Sequence, residues 1–391
     1  QVISIISVMT GISLAAADEK RRALGDRAGQ QEVCDWFFPA ATERGYQLTV
    51  ITEIWDVLRA FASFGFCKAH AAAFALPTYQ SAYLKTHHPA AFIAGVLTHD
   101  PGMYPKRLMI DEARQLGVGL APLDINYSGE QYTVERDEKG GDHVRIALTS
   151  VSGISDKEVT SIIAGRPYID LSDFYRRSGS SHPVIETLIL TGAFDRVHSL
   201  SDGAINHRDL LLHLSDLTRS PVATVAGSQM VFGFAPPDLE ASGLPPMGAA
   251  EKVRNEVERL GMDITHHMLE FYAPFLNAIG AVKSSDLLSL RSQSEVLVAG
   301  IKVAMQTPPV RSGRRVIFLT LDDGYGCTDS TFFSGAQEGF ASTLYGSSIL
   351  LVRGKTRRTG DRGISINASG AWDLRQAYEK WSRKLLETAA K

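Results

Sequence analysis

Two cations, Lys68 and His70, interrupt the segment FASFGFCKAHAAAF, whose other residues are small or aromatic. Two more, Arg21 and Arg22, are adjacent in DEKRRALG. Arginine binds phosphate oxygens through a planar fork of N–H donors, and lysine acts as a point charge toward the same ligand. These four residues are therefore a candidate phosphate-binding cluster. The alternative, which the spacing leaves open, is that they are solvated cations near helix ends, worth about 0.3–1 kcal/mol each.

The segment SVSGISDKEVTSIIAGR contains a second candidate site. A tight turn is expected at Gly153-Ile154-Ser155, and Ser155 and Glu158 have the spacing of a capping box that opens the following helix. Backbone N–H groups at such a turn bind a DNA phosphate without reading base sequence. The pattern resembles the helix-hairpin-helix module, with Ser155 in place of the second glycine, and an ordinary helix-turn-helix pair is the alternative. The residues predicted to contact DNA are Gly153, Ile154, Ser155, Lys157 and Arg166.

Length and composition set bounds on the function. A chain of 391 residues fits two to four domains, and its net charge of −3 gives no global attraction for nucleic acid, so any DNA-binding charge must be local. Its three cysteines, Cys34, Cys67 and Cys327, show no CxxC spacing, which argues against a disulfide framework and is consistent with a reducing compartment. No apolar run reaches transmembrane length, and the chain begins with Gln. We therefore expect a fragment that begins inside a domain and has no membrane association.

Apolar residues at helical spacing predict a helical region up to about residue 125. One helix face is formed by Ile51, Ile54, Trp55, Leu58 and Phe61. Because proline costs about 3 kcal/mol inside a helix, we expect Pro77 at a first helical position, with Lys68 and His70 on a connection between two helices.

The second half of the chain changes to a strand-like pattern. YTVE and VRIAL flank a polar EKGGD turn, which predicts a β-hairpin. Residues 215–250 are rich in Pro, Gly and Ser and predict a linker. Five strand-like segments precede a C-terminal helix and predict a small barrel of the oligonucleotide-binding (OB) type: VLVAGIKVA, RRVIFLTLDD, ASTLYG, SILLVRGKTRR and GISINASGAWDL.

The order of these motifs resembles the bacterial family C DNA polymerases, which comprise the alpha subunit of DNA polymerase III and its error-prone relatives. The resemblance runs from RRALG and FASFGFCKAHAAAFALPTYQSAYLKTHHPAAFIAGVLT through DEARQLGV, PLDIN and SVSGIS to LILTGAFD. The longer segment HPVIETLILTGAFDRV looks like the paired second hairpin. It covers the chain and implies a multidomain α+β fold, with helical fingers and a helix-hairpin-helix region followed by an antiparallel β OB-type barrel. The implied domains are fingers (1–135), helix-hairpin-helix region (136–214), linker (215–250), helical connector (251–290), OB domain (291–372) and C-terminal helix (373–391).

The resemblance also implies roles for the cations at the start of the chain. Arg21, Arg22, Lys68 and His70 would line the site of the incoming nucleotide (dNTP) and contact its triphosphate. The two Mg²⁺ ions of such a polymerase are held by palm aspartates in a Pro-Asp-x-Asp-x-Asp element upstream of this segment. We therefore expect no catalytic residue and no metal ligand within the chain, whose share of catalysis would be electrostatic.

One acidic segment imitates a catalytic motif. Asp322, Asp323 and Asp329 in LDDGYGCTDS resemble a motif of another polymerase family, but Asp-Asp-Gly between two strands is ordinary hairpin chemistry. The histidine pairs at 87–88 and 266–267 have no partner at metal-ligand spacing, so we expect them to be structural or exposed.

The linker segment GSQMVFGF lies where family members carry a motif that docks on the sliding clamp. Gln229, Met230 and Phe232 supply an amide and two apolar anchors for such a groove. An exposed apolar group in a linker requires a partner, which is either the clamp or the chain's own domain.

The predicted barrel carries basic residues that can track a single DNA strand. They are Arg311, Arg314 and Arg315 in one loop and Arg353, Lys355, Arg357 and Arg358 after SILLV. Three aromatic residues are candidates for base stacking or for the core: Phe318, Phe332 and Phe333.

These observations predict the C-terminal segment of a DNA-directed DNA polymerase that contacts primer-template DNA, dNTP and a sliding clamp. The resemblance implies a bacterial cytoplasmic protein associated with the nucleoid. It does not separate a replicative from an error-prone enzyme. The clamp motif fits the form Gln-x-x-hydrophobic-Phe only approximately, since Phe232 comes one position early and Phe234 one late, and this favours the error-prone enzyme slightly. The alternatives are a non-catalytic DNA-binding scaffold and a repair factor that uses the hairpin and OB modules without the cations of RRALG and FCKAH.

Overall fold

The computed structural model describes residues 1–25, 27–61, 68–102, 104–219, 238–308, 315–361 and 363–389. Its residues group into two compact units, Gln1–Ala82 and Tyr83–Lys391. The boundaries of the six domains expected from the sequence stay predictions, because a division into two units is too coarse to test them. Among the described residues no single helix is long and apolar enough to cross a membrane, and one pair that meets the length and composition together, Val2–Thr10 with Leu14–Ala23, is bent by 116°.

The first unit is helical. Its elements are α1 (Val2–Thr10), α2 (Leu14–Ala23), α3 (Arg27–Glu43), α4 (Leu48–Phe61) and the greater part of α5 (Lys68–His87). Ile51, Trp55 and Leu58 of α4 are buried in one cluster with Phe37 of α3. This packing confirms the apolar face that the residue spacing predicts for α4.

Pro77 lies inside α5, so the expected helix start at this residue is wrong. Lys68 is the first residue of α5 and His70 belongs to its first turn, so neither lies on a connection between helices. Pro77 removes one backbone donor, and beside it the Thr78 hydroxyl donates to the Phe74 carbonyl at 2.7 Å. The other backbone hydrogen bonds of a 20-residue helix compensate for this loss.

The second unit begins with a helical region. Its helices are α6 (Pro89–His99), α7 (Lys106–Gln115), α8 (Asp156–Ala164), α9 (Leu171–Arg177), α10 (His182–Leu190), α11 (His207–Arg219) and α12 (Ala249–Leu260). A small sheet of β1 (Gly119–Ala121), β2 (Thr133–Arg136) and β3 (Asp142–Arg145) lies among them, in the order β1-β3-β2. The antiparallel β2–β3 pair confirms the predicted hairpin. Tyr168, Phe174 and Phe194 are buried in the shared core. The ring centroid of Phe174 lies 4.8 Å from that of Tyr168 and 5.2 Å from that of Phe194.

A closed five-stranded barrel follows. Its strands are β4 (Glu295–Gln306), β5 (Ile317–Asp322), β6 (Cys327–Phe332), β7 (Ile349–Arg358) and β8 (Ile364–Asp373). They close in the order β4-β5-β6-β8-β7. Four of the five strand pairs are antiparallel, and β6 pairs with β8 in parallel, so the barrel is mixed rather than wholly antiparallel. The surrounding helices are α13 (Ala273–Ala278), α14 (Ser284–Leu287), α15 (Ser334–Gln337), α16 (Ala341–Gly346) and α17 (Leu374–Ala389).

The third barrel strand is CTDSTF rather than ASTLYG, which forms helix α16. Along β6 the buried positions alternate as in any half-buried strand, but two of the inward residues are Thr328 and Ser330. Because these residues are polar, the strand has no hydrophobic period in the sequence, and the prediction for ASTLYG was wrong for lack of that signal.

The predicted linker, residues 215–250, is wrong at both ends, because residues 215–219 belong to α11 and residues 249–250 open α12; residues 238–248 are irregular but attached. Ser242 donates both its amide and its hydroxyl to Asp209 of α11. Asn206 and Arg208 donate to the carbonyls of Leu244 and Pro245 at 3.0 and 2.9 Å. The chain that enters α12 is therefore fastened to the helical region.

Candidate nucleic-acid interface

The hairpin that precedes α8 has the geometry of a tight turn. Gly153 has a φ of +80°, a left-handed conformation that favours glycine, and it is exposed. Ile154 packs partly against the core of the helical region, which fixes the turn on its support. Lys157, in the first turn of α8, is exposed. Gly153 and Lys157 are thus exposed residues of this hairpin.

Ser155 is engaged within the protein. It is the N-cap of α8, and Glu158 accepts hydrogen bonds from its amide at 2.9 Å and from its hydroxyl at 2.8 Å. The other carboxylate oxygen of Glu158 accepts from the amide and hydroxyl of Ser181, the N-cap residue of α10, at 2.9 and 2.8 Å. A carboxylate therefore occupies the anion position between two helix N-termini, where a phosphate would have to displace it.

Arg166 is also engaged within the protein. Its guanidinium donates to the carbonyl of Ile125 at 2.7 Å and to the carbonyl of Ser128. Burial lowers the pKa of Arg166. This side chain fastens the end of α8 to the loop at 125–128, and we leave it out of the proposed DNA contacts.

The second hairpin expected in LILTGAFD is a turn in the core. Gly192 has a φ of +83°, and Thr191, Ala193 and Phe194 beside it are buried. Turns, not a second helix, follow up to residue 199. Since a phosphate cannot reach buried amides, this turn offers no backbone donors to DNA, whereas the first hairpin is exposed.

The barrel presents three cations on one outward row. Along β7 the exposed residues Arg353, Lys355 and Arg357 alternate with the buried residues Gly354 and Thr356. Successive side chains of a strand point to opposite faces, so the three cations share the outer face. Arg353 is paired with exposed Glu295 at 2.9 Å, an ion pair that solvent and salt weaken.

One register row connects these cations to an exposed aromatic ring. Phe318 of β5 is opposite Thr331 of β6, Thr331 is opposite Asn367 of β8, and Asn367 is opposite Lys355 of β7. The row covers three strand spacings, about 14 Å along the barrel surface. It begins with a ring that can stack on a base and ends with a cation that can bind a phosphate, as single-strand binding requires.

The remaining barrel candidates divide between core and surface. Phe332 is fully buried, whereas Phe318 and Phe333 are 45% and 49% exposed, which leaves these two rings accessible to bases. Arg358 donates to the carbonyls of Leu288 and Leu290 and serves the structure. The predicted loop cation Arg315 is exposed, and Arg311 and Arg314 lie outside the described residues.

The predicted nucleotide site is described only in part. Arg21 and Arg22, at the end of α2, are exposed and both bind Asp18, at 2.8 Å in each ion pair. These hydrogen bonds outweigh the effect of burial and lower the pKa of Asp18. His70 is exposed, with its ring centroid 4.5 Å from that of Phe74. The side chain of Lys68 lies outside the described part of the chain, as does the predicted clamp motif Gln229, Met230 and Phe232.

The acidic segment LDDGYGCTDS is a β5–β6 hairpin, as the sequence predicts. Asp323 accepts from the amide and hydroxyl of Ser284 at 2.7 and 2.6 Å, and Asp329 accepts from the Thr320 hydroxyl at 2.7 Å. Asp322 is buried beside His267, a contact between residues 55 positions apart that no local spacing could reveal.

Two family models match the regions described above. The model "Helix-hairpin-helix motif" matches residues 117–201, and the model "OB-fold nucleic acid binding domain" matches residues 296–374. The fold and the interface therefore define a multidomain α+β nucleic-acid-binding protein, in which a helix-hairpin-helix region precedes an OB barrel. This confirms the fold class expected from the sequence.

Similarity to whole proteins extends over nearly the entire chain. It is 32% identical to the error-prone DNA polymerase of Symbiobacterium thermophilum over 94% of its length, and 31% identical to the DNA polymerase III subunit alpha of Vibrio cholerae over 98%. The corresponding subunit of Escherichia coli K12 is 28% identical over 98% of the chain. The chain spans 34–38% of the length of these relatives. It belongs to the bacterial family C DNA polymerases, as the motif order predicts.

The carboxylate between the two helix N-termini yields a prediction about acid stability. Burial opposes its ionisation, but the hydrogen bonds from Ser181 and Ser155 outweigh burial and lower the pKa of Glu158 to about 2. A lowered pKa stabilises the fold above the unfolded value of about 4.3, and this contribution is lost as the pH falls toward 2. Glu158→Gln should therefore lower the free energy of unfolding by about 0.5–2 kcal/mol at neutral pH and flatten its decrease in acid, as measured by urea unfolding. Glu138→Gln, at an exposed turn, should match the unaltered chain, and an equal acid dependence for both variants would contradict this role.

Proposed function

We propose that this chain is the C-terminal segment of a DNA-directed DNA polymerase of the DNA polymerase III alpha type. In this proposal the segment binds incoming dNTP through the helical first unit and primer-template DNA through the helix-hairpin-helix region and the barrel. The enzyme would act in replication or in error-prone repair synthesis, and relatives of both names support the two branches equally.

The observation that carries the DNA-binding part is the row on the barrel surface from Phe318 to Lys355. A base stacked on Phe318 gains about 1–3 kcal/mol, without preference for sequence. Lys355 and Arg357 lie at the opposite end of the row, where their charges are available to phosphates. We assign single-stranded template to this face and the duplex to the hairpin, where Gly153 and Lys157 face solvent.

Removal of the outward cations should reduce the salt dependence of single-strand binding. Each phosphate contact contributes about 0.7 to the slope of log K against log salt for a single strand, so the double variant Lys355→Gln/Arg357→Gln should lower the slope by about 1.4. The measurement is a salt titration of oligo(dT) binding by fluorescence anisotropy.

The matched control is Lys380→Gln/Arg383→Gln, which removes two exposed cations from α17. This variant should retain the slope of the unaltered chain. If both double variants change the slope equally, the binding is a general charge effect and the assignment of the β7 face is wrong.

The nucleotide-binding part of the proposal rests on Arg21, Arg22, Lys68 and His70. Fixed cations would hold the triphosphate in line for attack and offset the charge that develops on the transferred phosphoryl group. Mg²⁺ would be bound by palm residues outside this segment. In the structure the carboxylate of Asp18 accepts hydrogen bonds from both Arg21 and Arg22, which brings their guanidinium groups together.

Lys68→Ala in the intact gene product should raise the apparent KM for dNTP or lower kcat in primer extension, with DNA affinity nearly unchanged. Lys85→Ala is the matched control, because Lys85 is on the same helix and binds Glu112 at 2.6 Å. A scaffold or a repair factor would show no template-directed extension, and an extension rate with unaltered nucleotide dependence in Lys68→Ala would refute this role for Lys68.

The partners and location complete the proposal. Gln229, Met230 and Phe232 would bind the sliding clamp through one amide and two apolar anchors. A protein with these partners works in the bacterial cytoplasm, at the nucleoid.

A further inference from the structure

Charged side chains from three elements are buried together where the helical region meets the barrel. We call this group the junction cluster. Residues 261–267 lead from α12 toward the barrel, and from here on the name connector refers to these residues alone, a shorter segment than the predicted helical connector 251–290. The cluster consists of Arg107, Asp111 and Arg114 from α7, Asp263 and His267 from the connector, and Asp322 from the end of β5. None of the proposed DNA or nucleotide contacts belongs to it.

Arg107 joins the three elements. Its Nη2 atom lies 3.5 Å from Asp263 Oδ2, 3.5 Å from Asp322 Oδ2 and 3.2 Å from His267 Nε2. Arg114 binds Asp111 and also donates to the carbonyls of Asp263 and Ile264. Helix α7 is therefore connected to the connector and to the barrel through guanidinium groups.

The cluster does not balance its charge without a proton. Its three carboxylates carry −3 and its two guanidinium groups carry +2, so a neutral His267 leaves one uncompensated negative charge. Asp111 and Asp263 are fully buried, and Asp322 is 1% exposed. An unpaired charge in such a place is costly, and binding of one proton removes it.

Two carboxylate oxygens of the cluster are candidates for that proton. Among the described residues, Asp111 Oδ2 and Asp263 Oδ1 are buried without a hydrogen-bond partner, and Asp111 Oδ2 is the one that lies close to a second titratable group, 3.8 Å from His267 Nε2. Ligand atoms of Asp111, His267 and Asp322 all lie within 4.8 Å of one another. A proton on Asp111 would give this oxygen a donor toward Asp322.

The ring of His267 favours a proton over a metal ion. The Leu269 amide donates to its Nδ1 at 3.3 Å, so the proton of the neutral ring is on Nε2, 3.3 Å from Asp322 Oδ2. Arg107 Nη2 then lies near Nε2 without a hydrogen bond to it, because both atoms are donors. A protonated Nε2 cannot bind a metal, and the Arg107 cation already lies 3.2 Å from this nitrogen.

The directions of the pKa shifts follow from this geometry. Burial first, and then the negative charge of Asp322, raise the pKa of Asp111 to about 7. Burial opposes protonation of His267, but Asp322, Asp111 and Asp263 outweigh it and raise its pKa. Cys327 of β6 is exposed opposite Asp322, and desolvation together with the neighbouring carboxylates raises the pKa of this thiol to about 11, so it is neutral here.

A cleft gives the cluster a route to solvent. It has a volume of about 430 Å³ and is lined by Arg114 and His267 together with residues of the barrel, such as Lys283 and Tyr325. Protons can exchange through this opening while the packing around Asp111 stays closed.

We propose that the junction cluster is a proton-dependent lock, in which one proton shared by Asp111, His267 and Asp322 holds the helix-hairpin-helix region against the OB barrel. Loss of this proton leaves a buried negative charge at the junction and weakens the attachment. The two nucleic-acid-binding modules are then held less firmly relative to one another. The lock does not depend on the proposed polymerase function, because it involves no DNA or nucleotide contact.

The sign of the pH dependence follows from the raised pKa of Asp111. The folded chain binds the proton more tightly than the unfolded chain, whose Asp has a pKa of about 3.9. The contribution to stability is present below that value, decreases as the pH rises, and is lost above pH 7. The equilibrium constant for opening the junction should increase by at most about tenfold per pH unit between the unfolded pKa of about 3.9 and pH 7.

Asp111→Asn tests the lock because the amide imitates the protonated acid. Its oxygen can accept from Arg114, and its NH₂ group can donate toward Asp322 without titrating. At about pH 8 hydrogen exchange in α7, the connector and β5 should be several-fold slower in Asp111→Asn than in the unaltered chain. At about pH 5 the two should be alike.

The comparison between variant and unaltered chain at each pH is needed because other groups titrate in this range. Burial lowers the pKa values of His198 and His213, which stabilises the fold as the pH rises and acts in the opposite direction. Asp173→Asn, at a carboxylate that binds Arg177 outside the cluster, is the matched control and should show no pH-dependent difference.

Equal exchange of Asp111→Asn and the unaltered chain at both pH values would overturn the proposal. So would a difference of the same size at both, since it would reflect a structural role without a proton. If Asp111→Asn does not fold, the unaltered chain decides the question: exchange at the junction, corrected for intrinsic rates, must accelerate between about pH 5 and pH 7.

Discussion

Burial of charge at the junction of two modules is the constraint on which this structure depends. Arg107 is close to carboxylates of the connector and of the barrel, so α7 cannot move away from either without exposing unpaired charges in a low-dielectric site. Removing one partner from such a group leaves an uncompensated buried charge, which costs more free energy than forming the group gains. The group therefore favours one specific arrangement of its elements. The hairpin and the row of cations on β7 are thereby parts of one body with a defined geometry.

The charged residues divide into those that the protein uses internally and those that it leaves for nucleic acid. Glu158 accepts hydrogen bonds at a helix N-terminus, and Arg166 and Arg358 donate to backbone carbonyls. Lys157 and Lys355 are exposed on supports whose opposite side is the core. With a net charge of −3, the chain can attract DNA only through such local groups. The division explains how an acidic protein can present basic surfaces.

The sequence is informative where local rules decide the structure. The capping box at Ser155, the hairpin at β2–β3 and the apolar face of α4 were predictable because each depends on residues within one or two turns. Strand β6 was missed because its inward residues are polar, and Pro77 was misplaced because a long helix tolerates one lost hydrogen bond. Neither the junction cluster nor the internal role of Arg166 has a local signal, since their partners are about 40 to 200 residues away along the chain.

The central claim is that the hairpin and the barrel, fixed by the junction, grip one DNA molecule together. The most direct measurement is the affinity for a duplex with a single-stranded overhang, compared with blunt duplex and single strand separately. Rigidly connected sites make the second contact intramolecular, so the overhang DNA should bind about 10²-fold more tightly than the better of the two, with an optimum overhang length. Overhang DNA that binds no more tightly than the better separate ligand, at every overhang length, would contradict the account.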